Sequence, residues 1–266
     1  MSNDDQLKVR QTVSKKKSFK ELTIVRDIIF WIDLVGEGQN ENAIFARPFN
    51  EKEAFPQKLT SKKYNIKNNF HGYGGKSYKC IYLKNNFYLI WIDQITNAVW
   101  FQIFKEVASN YRSQKRYLDS VQEPRQLSKS IDGNFDSSFV ISQKNFLYGI
   151  CEINNRDYLF SLNLKKTKQD IYRIKKFKNF AGELSSNTSV SLLSWVEWDY
   201  PYMPWEKNDL CFAQIDLDGE ITKIKKFSDK LINAKKNVSF FQPYWISETL
   251  LVCSEDSSGW WNLLFL

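Results

Sequence analysis

The stretch FYLIWID at residues 87–93 is an apolar run that ends on an acid, and the run VWFQIF at residues 99–104 follows it after a short polar segment. Aromatic and β-branched residues in runs of this length are typical of β-strands. The pair therefore predicts two antiparallel strands joined by a tight turn, with the acid at the end of the first strand.

The same arrangement occurs five times along the chain. In each case an apolar run meets an acid, a polar turn follows and a second apolar run returns; the acids are Asp33, Asp93, Glu152, Glu197 and Glu255. Successive acids are 60, 59, 45 and 58 residues apart. Several short strands recurring every ~50 residues are typical of β-propeller blades, whereas a sandwich need not show this recurrence. We predict an all-β fold, a partial β-propeller of about five four-stranded antiparallel blades.

These blades divide the chain into a short lead-in and one domain. Residues 1–22 are predicted to form a polar tail or a lead-in strand, and residues 23–266 an incomplete β-propeller domain. The blades are expected near residues 23–60, 65–107, 135–178 and 181–228, with a fifth from residue 238. Residues 108–129 are polar and are predicted to be a linker or an inserted loop before the outer strand of its blade. Because the sequence stops at Leu266 within an apolar run, we expect the last blade to be incomplete.

The composition predicts a globular protein of the cytoplasm. Of the 266 residues, 42% are hydrophobic and 16% aromatic, which is ample for a core. No apolar run reaches the ~18 residues of a transmembrane helix, and the polar N-terminus lacks the apolar centre of a signal peptide. The cysteines are far apart in apolar strands and are expected to be reduced and buried: Cys80, Cys151, Cys211 and Cys253. We expect no metal and no cofactor.

The net charge of +8 is not concentrated on the predicted domain. Residues 1–20 contain six Lys or Arg and two Asp, so they supply +4, and the other +4 is spread over the remaining 246 residues. A protein that binds nucleic acid usually carries a clustered basic face. We therefore expect neither a nucleic-acid partner nor a membrane partner.

The segment HGYGGKS at residues 71–77, here called the glycine loop, is the first candidate site. A phosphate-binding loop would need glycine at position 70, where Phe70 stands, and a strand before it. An esterase oxyanion loop would need a Gly-x-Ser-x-Gly elbow elsewhere, which the sequence lacks, and a triad would have to use His71, the single histidine. We therefore predict no catalytic residue in this chain. The structural alternative to a functional glycine loop is a tight turn, which glycine permits at the entry to a strand.

The segment WVEWDYPYMPW at residues 195–205, here called the tryptophan segment, is the second candidate. Three Trp and two Tyr make it too apolar for a free loop, so it either lines a channel or packs on a neighbouring blade. The candidate substrate-channel or interface residues from both segments are His71, Gly72, Tyr73, Trp198, Asp199, Met203 and Trp205.

Four strings together resemble one peptidase family. They are HGYGG from residue 71, EWDYPYMPW from residue 197, FQPYW from residue 241 and SGWWNL from residue 258. In this order they resemble the N-terminal propeller of prolyl-oligopeptidase-family serine peptidases, in the acylaminoacyl-peptidase or dipeptidyl-aminopeptidase-like branch, across residues 20–266. The sequence departs from the family at Gly72, where a Glu is usual.

This resemblance implies an accessory role. In such enzymes the propeller precedes an α/β-hydrolase domain, covers the active site and restricts entry to small peptides. None of the family's catalytic residues can be carried over, so the chain alone is expected to be inactive and to be a truncated or split gene product. Its expected partners are an α/β-hydrolase chain or the remaining blades in trans, with a peptide substrate only in that context. The alternative is a stand-alone propeller-like binding or scaffold module.

Overall fold

Five antiparallel sheets follow one another in the computed structural model of the chain. The structure describes residues 19–35, 41–51, 54–108, 116–216, 219–227 and 237–266. Within these residues the only helical element is one 3-10 turn, Phe70–Gly72. The predicted all-β fold of about five successive blades is confirmed.

Sheets 1 and 2 follow the order of the chain from strand to strand. Sheet 1 consists of β1 (Lys20–Val25), β2 (Ile28–Val35), β3 (Glu41–Pro48) and β4 (Gln57–Lys58). Sheet 2 consists of β5 (Tyr78–Leu83), β6 (Asn86–Asp93), β7 (Ala98–Ala108) and β8 (Arg116–Ser120), with β9 (Arg125–Gln126) paired to β7.

Sheets 3 to 5 repeat this up-and-down order. Sheet 3 consists of β10 (Gly133–Phe135), β12 (Phe146–Ile153), β13 (Arg156–Asn163) and β14 (Tyr172–Lys176), with β11 (Val140–Ile141) paired to β12. Sheet 4 consists of β15 (Phe180–Ser186), β16 (Leu192–Trp198), β17 (Asp209–Ile215) and β18 (Ile221–Lys226). Sheet 5 consists of β19 (Phe240–Trp245), β20 (Leu251–Glu255) and β21 (Asn262–Phe265).

Sheet borders can be compared with the sequence prediction at two places. The first strand begins at Lys20, within the residues 1–22 that were predicted to form a tail or a lead-in strand. The polar stretch of residues 108–129, predicted as a linker or inserted loop, holds β8, which pairs with β7 as the outer strand of sheet 2. Strand β8 has no long apolar run, because an outer strand is largely exposed to solvent. Sheet 5 has three strands, as expected for an incomplete blade.

The five repeat acids occupy equivalent places. Each lies in the second strand of its sheet, at or near the C-terminal end: Asp33 in β2, Asp93 in β6, Glu152 in β12, Glu197 in β16 and Glu255 in β20. Asp93 shows what this position can do, because its buried carboxylate accepts the Asn65 N–H at 2.8 Å and the Thr96 hydroxyl at 2.7 Å. The acid thus holds the chain that enters the sheet and the turn that leaves the strand.

Tight two-residue turns join several strands. Lys84 and Asn85 between β5 and β6, and Asn154 and Asn155 between β12 and β13, all have positive φ angles of 49 to 60°. Two consecutive positive φ values form the type I′ turn, whose twist matches that of paired strands. Asparagine tolerates this region better than most residues, so these hairpins need no glycine.

Apolar cores lie between successive sheets. Four clusters fill the four boundaries, and each takes fully buried residues from both neighbours: Phe30 and Leu89, Ile90 and Leu147, Ile150 and Leu193, Val196 and Leu251. Strand β6 illustrates the consequence, since Leu89 and Ile90 are adjacent in sequence but enter different clusters. A sheet with two apolar faces is stable only when a neighbour covers each face.

Bulges in the first strands connect neighbouring sheets by hydrogen bonds. Glu21 in β1, Glu183 in β15 and Gln242 in β19 have positive φ angles and lie where the strand register shifts. The Glu21 carboxylate accepts the Ser77 N–H just before β5, and Glu183 Oε2 accepts the Gln242 N–H at 2.6 Å. A bulge turns a side chain out of the regular pleat, which here lets an acid reach the backbone of the next sheet.

All four cysteines are buried and unpaired, as the sequence predicted. Burial raises the pKa of the Cys253 thiol to about 11, which disfavours the reactive thiolate. No helix within the described residues is long and apolar enough to cross a membrane.

Two glycines give a matched test of the packing between strands. A Cβ on Gly149 in β12 would lie 2.8 Å from the Phe160 ring, whereas a Cβ on Gly182 in β15 would meet only the Trp198 ring, at 3.7 Å. We expect Gly149→Ala to lower the free energy of unfolding by about 1–3 kcal/mol, because a buried ring must move. Gly182→Ala should be neutral within ~0.5 kcal/mol. Urea unfolding of both variants measures this, and equal stabilities would contradict the packing.

Candidate functional site

The glycine loop enters sheet 2 through a short, strained turn. His71, Gly72 and Gly74 all have positive φ angles, of 51, 75 and 80°. Asn68 braces the loop: its Oδ1 accepts the Phe70 N–H at 2.9 Å, and its Nδ2 donates to the Lys76 carbonyl at 3.0 Å. The tight-turn interpretation therefore holds locally, and the turn carries the His71 side chain toward sheets 3 and 4.

His71 fixes the glycine loop to sheet 3. Its Nε2 lies 2.8 Å from Oδ2 of Asp157, the second residue of β13, and its backbone N–H donates to Glu152 Oε2 at 3.2 Å. The Asp157 side chain is 1% exposed, and it also accepts the Ala181 N–H at 2.7 Å. Burial raises the pKa of Asp157, and the hydrogen bond from His71 offsets part of that rise. One buried carboxylate thus connects the loop to sheets 3 and 4.

Aromatic rings surround the imidazole of His71. Phe70 stacks on it at 3.8 Å between ring centroids, while Phe180 and Trp198 present their edges at 5.3 and 5.5 Å. Phe180 also stacks on Trp198 at 5.6 Å. Such contacts add to the burial of large apolar surface and leave the ring little freedom.

The tryptophan segment is built from the end of β16 and the turns before β17. Its backbone folds on itself, since the Tyr202 N–H donates to the Asp199 carbonyl at 3.0 Å and the Glu206 N–H to the Met203 carbonyl at 2.9 Å. Asn208 secures its end on sheet 5, because its Nδ2 donates to the Phe240 carbonyl at 2.9 Å. Hydrogen bonds within the segment and at its end thus hold this long connection.

Both segments line a single cavity of about 1050 Å³. Of the predicted candidates, His71, Tyr73, Trp198, Met203 and Trp205 are on its wall. The tryptophan segment was predicted either to line a channel or to pack on a neighbouring blade, and it does both. Trp198 packs against His71, while Trp205 lines the cavity and is 56% exposed.

Two of the predicted candidates lie off the cavity wall. Gly72 follows His71 in the turn, and open space surrounds the position of its missing Cβ. Asp199 is directed toward the turn after sheet 3, where it accepts the Asn179 amide at 3.0 Å and pairs with Lys178 at 3.1 Å. Both residues are close in sequence to wall residues, but sequence proximity does not determine which side chains share a surface.

Sequence reasoning missed the acids of this cavity. Glu152 and Glu183 line it, and Asp157 lies behind His71. Glu152 was noted only as a repeat acid, and its recurrence at the strand end was the one available signal. Asp157 is 86 residues from His71, and nothing in the local sequence indicates that the two meet.

Burial raises the pKa of the Glu183 carboxyl from 4.5 to about 7. The hydrogen bond from Gln242 opposes this rise, and the negative charge of Asp136 adds to it. Asp136 is held by the Ser138 hydroxyl, which in turn accepts the Leu184 N–H at 2.9 Å. Within the part of the chain that the structure describes, no group of three or more His, Cys, Asp or Glu is arranged to hold a metal ion.

Comparison with known proteins identifies the fold. No family model matches the sequence, and no curated protein matches it either. The crystal structure of a puromycin hydrolase matches with a TM-score of 0.75 at 16% identity, covering 97% of this chain and 38% of that one. A puromycin-hydrolyzing peptidase of Mycobacterium tuberculosis matches at 0.74 and 16%, covering 96% of this chain and 38% of that one.

A second group of peptidase structures matches more distantly. Prolyl oligopeptidase B from Galerina marginata, bound to a macrocyclization substrate, gives a TM-score of 0.53 at 9% identity, covering 99% of this chain and 38% of that one. The chain thus spans about 38% of the length of the chains it matches. At these identities the likeness establishes the fold, and the predicted resemblance to the propeller of prolyl-oligopeptidase-type peptidases is confirmed at that level.

The raised pKa of Glu183 predicts a pH-dependent stability. Because the folded chain holds this proton up to about pH 7, the group's stabilisation is complete below pH ~4.5 and is lost as the pH rises through 7. Glutamine cannot ionise, so Glu183→Gln should raise the free energy of unfolding at pH 8 by about 1–2 kcal/mol, a range that allows for the partial exposure of the site. At pH ~4.5 the same substitution should change the free energy of unfolding little.

Thermal unfolding at several pH values measures the difference between variant and wild type. Glu123→Gln, an exposed acid outside the cavity, is the matched control and should shift neither end of the profile. A Glu183→Gln effect that is the same at both pH values would contradict the assignment.

Proposed function

We propose that this chain is the propeller portion of a prolyl-oligopeptidase-like serine peptidase, in which it covers the active site and limits the size of the entering peptide. The observation that carries this proposal is the match of 96–97% of the chain to two puromycin-hydrolysing enzymes at TM-scores of 0.74 and 0.75. The more distant prolyl oligopeptidase B match supports the same role.

The catalytic groups are expected to come from an α/β-hydrolase part. The 266 residues contain one histidine and no Gly-x-Ser-x-Gly sequence. That histidine is engaged with Asp157 and packed among aromatic rings, and the described residues that line the same cavity include no serine. A peptide substrate would then contact this chain only in the assembled enzyme. This holds whether or not the hydrolase part is a separate chain of a split gene.

The outward face of sheet 5 supports the need for a partner. Leu263 and Phe265 in β21 are 69% and 57% exposed, and Trp260, Trp261 and Tyr244 are exposed beside them. The inward face of the same sheet packs against sheet 4, where Phe240, Leu251 and Cys253 are buried. An apolar face and an apolar edge strand of this size attract another sheet. The proposed occupant is the set of remaining blades, supplied in trans with the hydrolase part.

A stand-alone propeller-like binding module is the second candidate. The aromatic cavity between the glycine loop and the tryptophan segment favours it, because this cavity is formed entirely within the chain. Neither nucleic acid nor a membrane is a proposed partner of either candidate.

An activity assay tests the main proposal. The purified chain should not hydrolyse aminoacyl or acyl-aminoacyl reporter substrates, and a serine-directed fluorophosphonate should not label it, because no activated nucleophile is expected. Co-expression with the product of the following reading frame should yield a complex with peptidase activity on short peptides. Labelling of this chain, or turnover by it alone, would refute the accessory role.

Light scattering distinguishes the two candidates. The isolated chain is expected to self-associate at micromolar concentration, and the double variant Leu263→Lys with Phe265→Lys should reduce the mean mass. Ile95→Lys is the control, since Ile95 is an exposed apolar residue of a turn in sheet 2. A monodisperse wild-type monomer with a cooperative melt would favour the stand-alone module instead.

A further inference from the structure

The outer strands of sheets 3 and 4, with the turns before them, carry the net charge of the chain. Residues 165–178 contain seven Lys or Arg and one Asp, and residues 219–227 contain three Lys and one Glu. Together they supply +8, the entire net charge, so the rest of the chain, with its basic N-terminus, sums to zero. Along the sequence this charge is dispersed because the two stretches are far apart, but they contain β14 and β18.

The fold brings these two strands to one side of the protein. Lys175 in β14 and Lys226 in β18 both pair with Glu197, at 3.0 and 3.7 Å. Lys226 also pairs with Asp209 at 2.8 Å. A single carboxylate thus lies between the two outer strands, and their remaining cations belong to one continuous surface.

Seven basic side chains on this surface have no acidic partner. Within the described residues none of them takes part in an ion pair, and all are exposed; they are called the basic rim here and consist of Lys165, Lys166, Lys168, Arg173, Lys176, Lys223 and Lys225. The nearby acids do not balance them. Asp170 pairs with Lys129 at 2.8 Å, and Asp216 and Glu220 lie together in the turn before β18.

Sheet 2 shows that an outer strand of this protein can be balanced. Its strand β8 contains one basic residue, Arg116, and one acid, Asp119. Arg116 pairs with three acids of sheets 1 and 2, namely Asp27, Glu51 and Glu106. The excess of positive charge is therefore a property of sheets 3 and 4 rather than of outer strands in general.

The basic rim lies along two strand edges. β14 and β18 end the strand order of their sheets, so within the described residues each is paired on one side only. Tyr172 and Ile224 are 60% and 44% exposed among the cations. Lysine on an edge strand discourages pairing with another copy of the same chain. A strand of opposite charge does not meet this repulsion, and its backbone can extend the sheet.

We propose that the basic rim binds an acidic, extended segment of a partner protein, which pairs along β14 or β18. The carboxylates of the segment meet the rim cations, and its apolar side chains pack on Tyr172 and Ile224. A nucleic acid or an anionic membrane offers the same charge but no strand for the open edge. None of the rim residues is among those that line the aromatic cavity, so this inference does not depend on the peptidase role.

Fluorescence anisotropy of labelled peptides mixed with the full chain at pH 7.5 tests the proposal. We expect a twelve-residue peptide of alternating Glu and Val to bind about tenfold more tightly than the matching Gln and Val peptide. Raising the salt from ~0.05 to ~0.3 M should weaken the acidic peptide, because the rim cations are exposed. A Glu and Pro peptide of the same charge should also bind more weakly, since proline cannot donate to a strand ladder.

Matched double variants locate the binding surface. Lys176→Gln with Lys225→Gln removes one cation from each strand and should weaken the acidic peptide about fivefold or more. Lys176→Arg with Lys225→Arg keeps both charges and should retain binding. Lys62→Gln with Lys144→Gln changes the net charge equally at exposed positions outside the rim and should have little effect. All of these lysines are exposed, and unchanged thermal unfolding of the variants verifies that binding alone has changed.

Several results would overturn the proposal. Equal affinity for the Glu and Gln peptides would remove the role of charge, and equal affinity for the Val and Pro peptides would remove the pairing with a strand edge. Equal losses in the rim and control variants would show a general charge effect. Tighter, rim-dependent binding of a twelve-nucleotide single-stranded DNA, or of vesicles containing phosphatidylserine, would assign the surface to a nucleic acid or a membrane instead.

Discussion

Each inner sheet of this protein is apolar on both faces, and the structure depends on covering those faces. In β6 the alternation of a strand sends Leu89 toward sheet 1 and Ile90 toward sheet 3. A run of consecutive apolar residues is thus the correct pattern for a strand between two cores. Stacking in chain order follows, because the next sheet along the chain is the nearest surface that can complete each core.

This constraint also explains where the cavity forms. The cores hold the sheets together, but the connections between strands are free to differ in length and chemistry. One long connection, from β16 to β17, and the entry to β5 extend beyond the sheets and meet over the ends of sheets 3 and 4. Asp157 ties the entry to β5 to sheets 3 and 4 through His71 and Ala181, and Asn208 ties the connection from β16 to β17 to sheet 5. Aromatic residues and hydrogen-bonded polar residues together line the cavity.

The sequence predicted the sheets far better than it predicted the cavity. Recurring apolar runs ending on acids located the second strand of every sheet, because burial on both faces leaves a strong local signal. The residues of the outer strand β8 were assigned to a linker or loop before that strand, since a polar strand at the edge resembles a loop. His71 and Trp198 were found as unusual residues, yet the contact of His71 with Asp157 spans 86 residues, and its contact with Trp198 joins the glycine loop to sheet 4. No local pattern encodes such contacts.

The four buried cysteines can report the partial unfolding of individual sheets. Sheets 2, 3, 4 and 5 each contain one buried cysteine: Cys80, Cys151, Cys211 and Cys253 respectively. A thiol in a closed core is shielded from an alkylating reagent until its sheet separates from a neighbour. Mass mapping of brief alkylation pulses would therefore resolve the order in which sheets detach, without a single engineered label. An array of stacked sheets that frays from one end would show a gradient of modification along the chain.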